Sequence, residues 1–175
     1  ELAYKLGRAG AHDLCQDTGN NSNIIGRDTR ISGDMLEAAL VAGICSMGVN
    51  VLKVGVIPTP AIAYLTRSLG AASGIVISAS HNSFEDNGIK FFGASGFKLP
   101  DEVENDIEEI VMGSWEDFAV PIGINLGRTY EVKDAADRYV SYVKETIDVD
   151  LTGLKIVVDC ANGAAYRVAP GILEE

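Results

Sequence analysis

The feature that most constrains the fold is an alternation of short apolar runs with segments of helical periodicity over the first ninety residues. The apolar runs are residues 23–26, 49–56 and 75–77, and the helical segments between them are residues 32–48 and 61–69. Strands and helices that alternate at this spacing are typical of βαβ units. We therefore expect an α/β domain with parallel strands.

The third apolar run indicates how the sheet is covered. Residues 75–77 are β-branched and apolar without alternation, which predicts a strand that is buried on both faces. Gly88 then lets the chain turn back into a further extended segment, residues 89–92. The expected fold is a three-layer α/β/α domain around a mixed, mostly parallel sheet.

A second α/β unit is predicted near the end of the chain. Residues 134–147 form the last predicted helix of the first domain. Residues 154–159 predict a new buried strand that is followed by a helix. We assign residues 1–150 to the first domain and residues 151–175 to the start of a second. One strand and part of a helix are too little to close a core.

Composition predicts a soluble protein of the cytoplasm. The chain is 47% hydrophobic over 175 residues, enough for one good core. It contains neither a run approaching the roughly 20 apolar residues of a membrane span nor an initial signal peptide, so we expect no membrane partner. Cys15, Cys45 and Cys160 are widely spaced and indicate reduced thiols, and no zinc-ligand spacing occurs.

The negative charge lies in the second part of the chain. The net charge is -11, and residues 101–175 hold 17 of the 25 acidic residues, while residues 1–100 are balanced. A solvated helix face explains the acidic cluster, and nucleic acid is not an expected partner. An anionic small molecule would have to meet local donors in the first hundred residues.

A polar loop with reactive side chains follows the third apolar run. Ser78, Ser80, His81 and Asn82 come directly after a buried strand, where open α/β sheets place their ligand crevices. Three interpretations are open: a serine hydrolase, an ordinary polar turn, or phosphoryl transfer through a phosphoserine. The hydrolase is disfavoured because Ser80 lacks the flanking glycines of a nucleophile elbow.

A second polar segment follows the first apolar run. Arg27 and Arg30 flank Asp28 and Thr29. Two guanidinium groups could bind a phosphate through paired donors. Alternatively, Asp28 could pair with an arginine and brace the loop.

The sequence also resembles a known enzyme family. Ser78-Ala79-Ser80-His81-Asn82, followed by residues 86–92, resembles the active-serine loop of the α-D-phosphohexomutases. Further agreement in the right order comes from residues 26–33, 55–60, 96–99 and 158–164, so the resemblance covers essentially the whole chain. Ser83 departs from the pattern because the family usually has proline there. The loss of a fixed φ should loosen the loop modestly.

The resemblance implies an isomerase that moves a phosphate between two positions of a sugar phosphate. Ser80 would carry the phosphate, His81 and Asn82 would position phosphate or substrate, and Arg30 would bind phosphate. Lys90 would act as the general acid or base, or alternatively would be an edge-strand lysine that prevents sheet pairing.

The resemblance also implies a metal ion and a substrate. Magnesium would bind a phosphate oxygen on Ser80 and an Asp-Gly-Asp-x-Asp-Arg loop, which does not occur in residues 1–175. We therefore expect this chain alone to be inactive. The expected substrate is glucosamine 6-phosphate; mannose or glucose phosphates, or a non-catalytic sugar-phosphate-binding module, are the alternatives. The oligomeric state stays open.

Overall fold

The computed structural model describes residues 1–15, 20–113, 118 and 120–174, and its core is a mixed sheet between two layers of helices. The strands are β1 (Ser22–Arg27), β2 (Asn50–Val56), β3 (Ser73–Ile77), β4 (Ile89–Gly93) and β5 (Thr129–Glu131). The α-helices are α1 (Leu2–Cys15), α2 (Gly33–Ser46), α3 (Thr59–Ser68), α4 (Asp101–Met112), α5 (Ala135–Lys144) and α6 (Ala169–Leu173).

The strand order in the sheet is β4-β3-β1-β2-β5. β1 pairs in parallel with both β2 and β3, and β2 pairs in parallel with β5. Only β4 among these strands is antiparallel, and it lies at one edge of the sheet. The prediction of a mixed, mostly parallel sheet is confirmed.

Each face of the sheet has its own apolar core. On one face, Ile25 and Ile75 pack with Leu40 and Ile44 of α2 and with small residues of α1. On the other face, Ile24 and Val76 pack with side chains of α3, among them Ile62 and Leu65, and with Ala135 of α5. All five residues of β3 are buried, as the lack of alternation in its sequence predicts.

Helices α1 and α2 approach closely because glycines line their contact. A Cβ atom added at Gly7 would lie 2.4 Å from the carbonyl oxygen of Leu40, and one added at Gly43 would lie 2.2 Å from that of Tyr4. No side chain fits at either position without moving backbone. The two glycines therefore set the distance between these helices.

The strand β5 is missing from the sequence-based assignment. Its three residues are exposed and pair with β2 at the edge of the sheet opposite β4. A three-residue exposed strand carries too little periodicity to be recognised in a sequence. The preceding segment, residues 113–128, contains a 3-10 turn at Gly123–Asn125, and its residues 114–117 and 119 lie outside the described residues.

The prediction of a buried strand at residues 154–159 is wrong for this structure. The segment forms no strand, and its apolar side chains are exposed, with Val157 97% accessible. Neither edge of the sheet pairs with it, and an unpaired segment has neither ladder hydrogen bonds nor a face to bury. Its assignment to a second domain stays a prediction.

In the part of the chain that the structure describes, no helix combines the length and the apolar composition that a membrane crossing requires.

Candidate active site

The candidate site is the reactive loop, residues 78–88, which leaves the carboxyl end of β3. The loop is closed at its base because the Ser78 N–H donates to the carbonyl oxygen of Gly88 at 2.8 Å. A Cβ atom at Gly88 would lie 2.6 Å from the Ser78 carbonyl oxygen, so this closure requires glycine. The adjacent strand β1 ends at the same edge of the sheet and leads into the bracing segment, residues 28–32.

Ser80 is exposed, like residues 81–87 after it, and its backbone is left-handed, with φ of 58°. This conformation is uncommon for a residue with a Cβ atom and costs roughly 1–2 kcal/mol. The Ser80 N–H donates to the Ser78 hydroxyl at 3.1 Å. Its own hydroxyl lies 3.1 Å from Nδ1 of His81, within hydrogen-bond distance.

Arg30 connects the bracing segment to the reactive loop. Its Nη1 donates to the carbonyl oxygen of Ser83 at 2.8 Å, and its Nη2 donates to those of Ser80 at 3.1 Å and Asn82 at 3.2 Å. Its Nε donates to Oδ2 of Asp28 at 3.0 Å. The internal Asp28–Arg30 pair that the sequence left as an alternative is thus present.

Two further contacts hold the distal part of the loop. The Ser32 hydroxyl donates to Oδ1 of Asn87, although Ser32 occupies the N-cap position of α2 and makes no capping hydrogen bond with its side chain. The Ser83 hydroxyl donates to the carboxylate of Glu85, and this contact lowers the pKa of that carboxyl group. Ser83 therefore makes a contact that the proline usual in the family could not make.

Asn82 and Lys90 are the remaining predicted site residues, and in the sequence they flank the acidic pair Glu85 and Asp86. The Asn82 side-chain amide donates to Oδ2 of Asp86 at 3.2 Å. Lys90 lies on the edge strand β4 opposite Val76, where it is exposed and has no partner among the residues that the structure describes. This position is that of an edge-strand lysine, and the role of Lys90 as general acid or base stays a prediction.

The described residues do not form a metal site by themselves. Over the described ranges, no three histidine, cysteine, aspartate or glutamate side chains lie together. Near Ser80, the carboxylate of Asp28 pairs with Arg30, and that of Asp86 accepts from Asn82. A metal ion near Ser80 would therefore need ligands beyond these two carboxylates.

An ion-pair network around the buried Glu37 lies next to the bracing segment. Glu37 of α2 is 6% exposed and lies 3.6 Å from Arg27 and 3.8 Å from Lys53. Burial raises the pKa of Glu37, and the two cations oppose that rise. Lys53 binds Glu131 at 3.1 Å, and this hydrogen bond is the main reason that its pKa is raised.

The structure brings most of the predicted site residues together. Ser80, His81 and Asn82 lie in one loop, and the guanidinium group of Arg30 donates to backbone carbonyl oxygens of that loop. Sequence reasoning missed the contact between Ser32 and Asn87, which joins the bracing segment to the reactive loop. Asn87 is part of the Asp-Asn-Gly sequence that closes the loop, but nothing in the sequence indicates that its partner lies 55 residues away.

Comparison with known proteins places this fold and site in a family. The sequence model of the family described as phosphoglucomutase/phosphomannomutase, α/β/α domain I, matches residues 1–116. The chain therefore belongs to this family, and the resemblance of its serine loop to the phosphohexomutases is confirmed at that level.

Two curated relatives carry a more specific name. The chain is 66% identical over 175 residues to the phosphoglucosamine mutase of Desulforamulus reducens and 66% identical over 171 residues to that of Pelotomaculum thermopropionicum. The two matches cover 100% and 98% of this chain, but only 39% and 38% of the length of the relatives. A crystal structure of a phosphoglucomutase/phosphomannomutase family protein from Burkholderia thailandensis matches with a TM-score of 0.78 at 30% identity, covering 99% of this chain and 37% of that one.

Proposed function

We propose that the protein containing this chain is a phosphohexomutase that interconverts glucosamine 6-phosphate and glucosamine 1-phosphate. One structural observation supports this most directly: Ser80 is exposed and left-handed at the carboxyl edge of the sheet, with its hydroxyl beside an imidazole. The choice of sugar is supported by relatives at 66% identity that are named phosphoglucosamine mutase.

The reaction consists of two phosphoryl transfers through Ser80. In the first, the bond between the Ser80 oxygen and phosphorus breaks, and a new bond forms between phosphorus and a hydroxyl oxygen of the sugar phosphate. The proton of that sugar hydroxyl passes to a base, and the Ser80 oxygen, which is the leaving group, takes up a proton from an acid and becomes a hydroxyl. The resulting bisphosphate reorients, and Ser80 then takes the phosphate from the other end.

The neighbouring side chains have separate roles in this proposal. Nδ1 of His81, 3.1 Å from the Ser80 oxygen, orients the hydroxyl and shares its proton during transfer. Lys90 is the general acid or base for the sugar hydroxyl, and Asn82 positions the phosphate. Magnesium would neutralise the phosphate charge when bound.

The cellular setting belongs to the same proposal. All three cysteines are free. Free thiols suit a reducing compartment, so we place the protein in the cytoplasm, with a sugar phosphate as its partner.

A coupled assay tests the function. The full-length protein that contains this chain is given glucosamine 6-phosphate, magnesium and a trace of the sugar bisphosphate, and formation of the 1-phosphate is measured. Mannose 6-phosphate and glucose 6-phosphate are run in parallel. We expect the highest kcat/KM with the amino sugar. A preference for mannose 6-phosphate or glucose 6-phosphate would refute the assignment of the sugar. Binding of the sugar phosphates without turnover of any of the three would refute the proposed mutase activity.

The same assay tests whether residues 1–175 suffice. We expect no turnover by the purified 175-residue chain, because its described residues bring no three histidine, cysteine, aspartate or glutamate side chains together to hold magnesium. Turnover within about tenfold of the full-length protein would show that the missing aspartate loop is dispensable.

A further inference from the structure

We propose that Arg30 is a positioning residue: it holds the backbone of the reactive loop so that Ser80 stays in its transfer-competent conformation, and it is not a phosphate ligand. This inference rests on the proposed function for its link to catalysis. It replaces the expectation from the sequence that Arg30 binds phosphate.

The first argument is the use of the guanidinium donors. A guanidinium group has five N–H donors and no acceptor. Four hydrogen bonds from Arg30 go to Oδ2 of Asp28 and to three carbonyl oxygens of the reactive loop. One N–H remains, which is too few for the paired contact that makes arginine a good phosphate ligand.

The second argument is that Arg30 is itself held in place. Its backbone N–H and its Nε both donate to the carboxylate of Asp28 at 3.0 Å. The two side chains are only 11% and 13% exposed. The Asp28 N–H donates to the carbonyl oxygen of Ile77, the last residue of β3. Arg30 is therefore fixed to the strand from which the reactive loop starts.

The third argument concerns the conformation of Ser80. The left-handed backbone of this residue is unfavourable for a serine and persists only where the surroundings impose it. Arg30 binds the carbonyl oxygen of Ser80 and those of two residues that follow it. These three contacts fix the peptide after Ser80 and so hold its backbone in the conformation from which the side chain projects.

Small errors in this direction would be costly for catalysis. Phosphoryl transfer needs attacking and leaving oxygens in line, and a displacement of about 1 Å can lower a rate by roughly 10²-fold. Loss of Arg30 should therefore lower kcat and leave KM nearly unchanged, because the substrate phosphate loses no ligand.

Steady-state kinetics of the full-length protein separate the two roles. We expect Arg30→Met to lower kcat about 10²-fold with KM within about threefold. Arg30→Lys should behave like Arg30→Met, because an ammonium group keeps the charge but cannot reach three carbonyl oxygens as a planar fork does. Arg138→Met, which removes an exposed guanidinium paired with Asp134, is the matched control and should change neither constant. A rise in KM at constant kcat, or substantial activity of Arg30→Lys, would overturn the proposal.

Chemical rescue of kcat by guanidinium ion distinguishes the positioning role from general destabilisation of the protein, which the ion would not reverse. Guanidinium ion at millimolar concentration should raise kcat of Arg30→Ala, since it can occupy the vacated space among the carbonyl oxygens. The same ion should not rescue Ser80→Ala. If the ion gives no rescue at any concentration that leaves the protein folded, the positioning role is refuted.

Hydrogen exchange measures the loop directly and does not depend on mutase activity. In Arg30→Met, amides of residues 79–87 should exchange faster, while those of β1 and β3 should keep their protection. Unchanged exchange in the loop would refute the proposal, as would an equal loss of protection in the strands of both Arg30→Met and Arg30→Lys. If the wild-type protein lacks mutase activity while Arg30→Met still speeds exchange in the loop alone, the proposed function fails and the structural role of Arg30 stands.

Discussion

β3 and the reactive loop are adjacent in the chain but are held in place by different interactions. Each residue of β3 is buried, and the strand pairs with β1 on one side and β4 on the other. The loop after it is mostly exposed and is held by polar contacts with residues 28–32, about fifty positions earlier in the sequence. Burial therefore determines the strand, and long-range hydrogen bonds determine the loop.

This difference implies that folding stability and site geometry can be changed separately. Substitutions in the core should lower the free energy of unfolding and leave the chemistry of the remaining folded protein intact. Substitutions in the reactive loop and the bracing segment should lower the activity and leave the free energy of unfolding nearly unchanged. The predictions below, all for the full-length protein, test this separation.

The largest effect is expected at Ser80. Ser80→Ala should lower kcat by at least about 10³-fold, because the oxygen that carries the phosphate is lost. The side chain is exposed, so the free energy of unfolding should change by less than about 0.5 kcal/mol. Activity and denaturant unfolding are measured on the same preparation. Ser83→Ala is the control and should keep most of its activity; retained activity in Ser80→Ala would contradict the account.

A core substitution should give the opposite pattern. Leu65 of α3 is fully buried. Leu65→Ala should lower the free energy of unfolding by about 2–5 kcal/mol through lost burial and the cavity left behind. kcat per folded molecule should stay within about twofold. Leu154→Ala, at a position that is 63% exposed, should change stability by less than about 0.5 kcal/mol. A large kcat effect of Leu65→Ala would show that core and site are coupled.

Lys90 tests whether the edge strand contributes to the chemistry. If Lys90 transfers a proton, Lys90→Ala should lower kcat by roughly 10²-fold. Lys98→Ala, which removes a lysine that pairs with Asp101 and Glu104, is the matched control. Near-normal kcat in Lys90→Ala would favour the edge-strand interpretation.

The pH dependence of stability should report the buried Glu37. Burial raises the pKa of this carboxyl group in the folded state, so the folded protein holds the proton more tightly than the unfolded chain. Stability should therefore decrease as the pH rises from the ordinary glutamate pKa of about 4.3 towards the raised value. Glu37→Gln should remove this decrease.

Glu85 provides the control for that measurement. Its pKa is lowered by the Ser83 hydroxyl, so the sign is reversed: its small contribution is present above the ordinary pKa and is lost as the pH falls. Glu85→Gln should leave the decrease attributed to Glu37 in place. Identical pH profiles of Glu37→Gln and the wild type would show that Glu37 is not the group responsible.

The smallest effect is expected at Ser83. Ser83→Pro restores the residue that the family usually has and removes the contact with Glu85. These changes oppose each other, because proline restricts the unfolded chain while a loop hydrogen bond is lost. The net change in unfolding free energy should be within about 1 kcal/mol. A drop of several kcal/mol, measured by denaturant unfolding, would show that the loop conformation excludes proline.

The sequence predicted the parts of the molecule whose signals are local. The apolar runs of β1, β2 and β3 and the periodic helices between them were recognisable, and so was the motif that contains Ser80. The contacts of Ser32 with Asn87 and of Arg30 with three loop carbonyl oxygens were not, because they join segments that are distant in sequence. The apolar residues 154–159 gave a strand signal, but a strand also needs a partner, and the described sheet provides none.

The phosphorylation state of Ser80 is the most direct test of the central claim. The full-length protein is purified in the presence of phosphatase inhibitors, and the peptide containing residues 78–88 is analysed by fragmentation mass spectrometry. The account predicts phosphate on Ser80, increasing after incubation with the sugar bisphosphate and removed by incubation with the sugar monophosphate, which accepts it to form the bisphosphate. Phosphate on Ser78 or Ser83 and never on Ser80, in a preparation with mutase activity, would contradict the account.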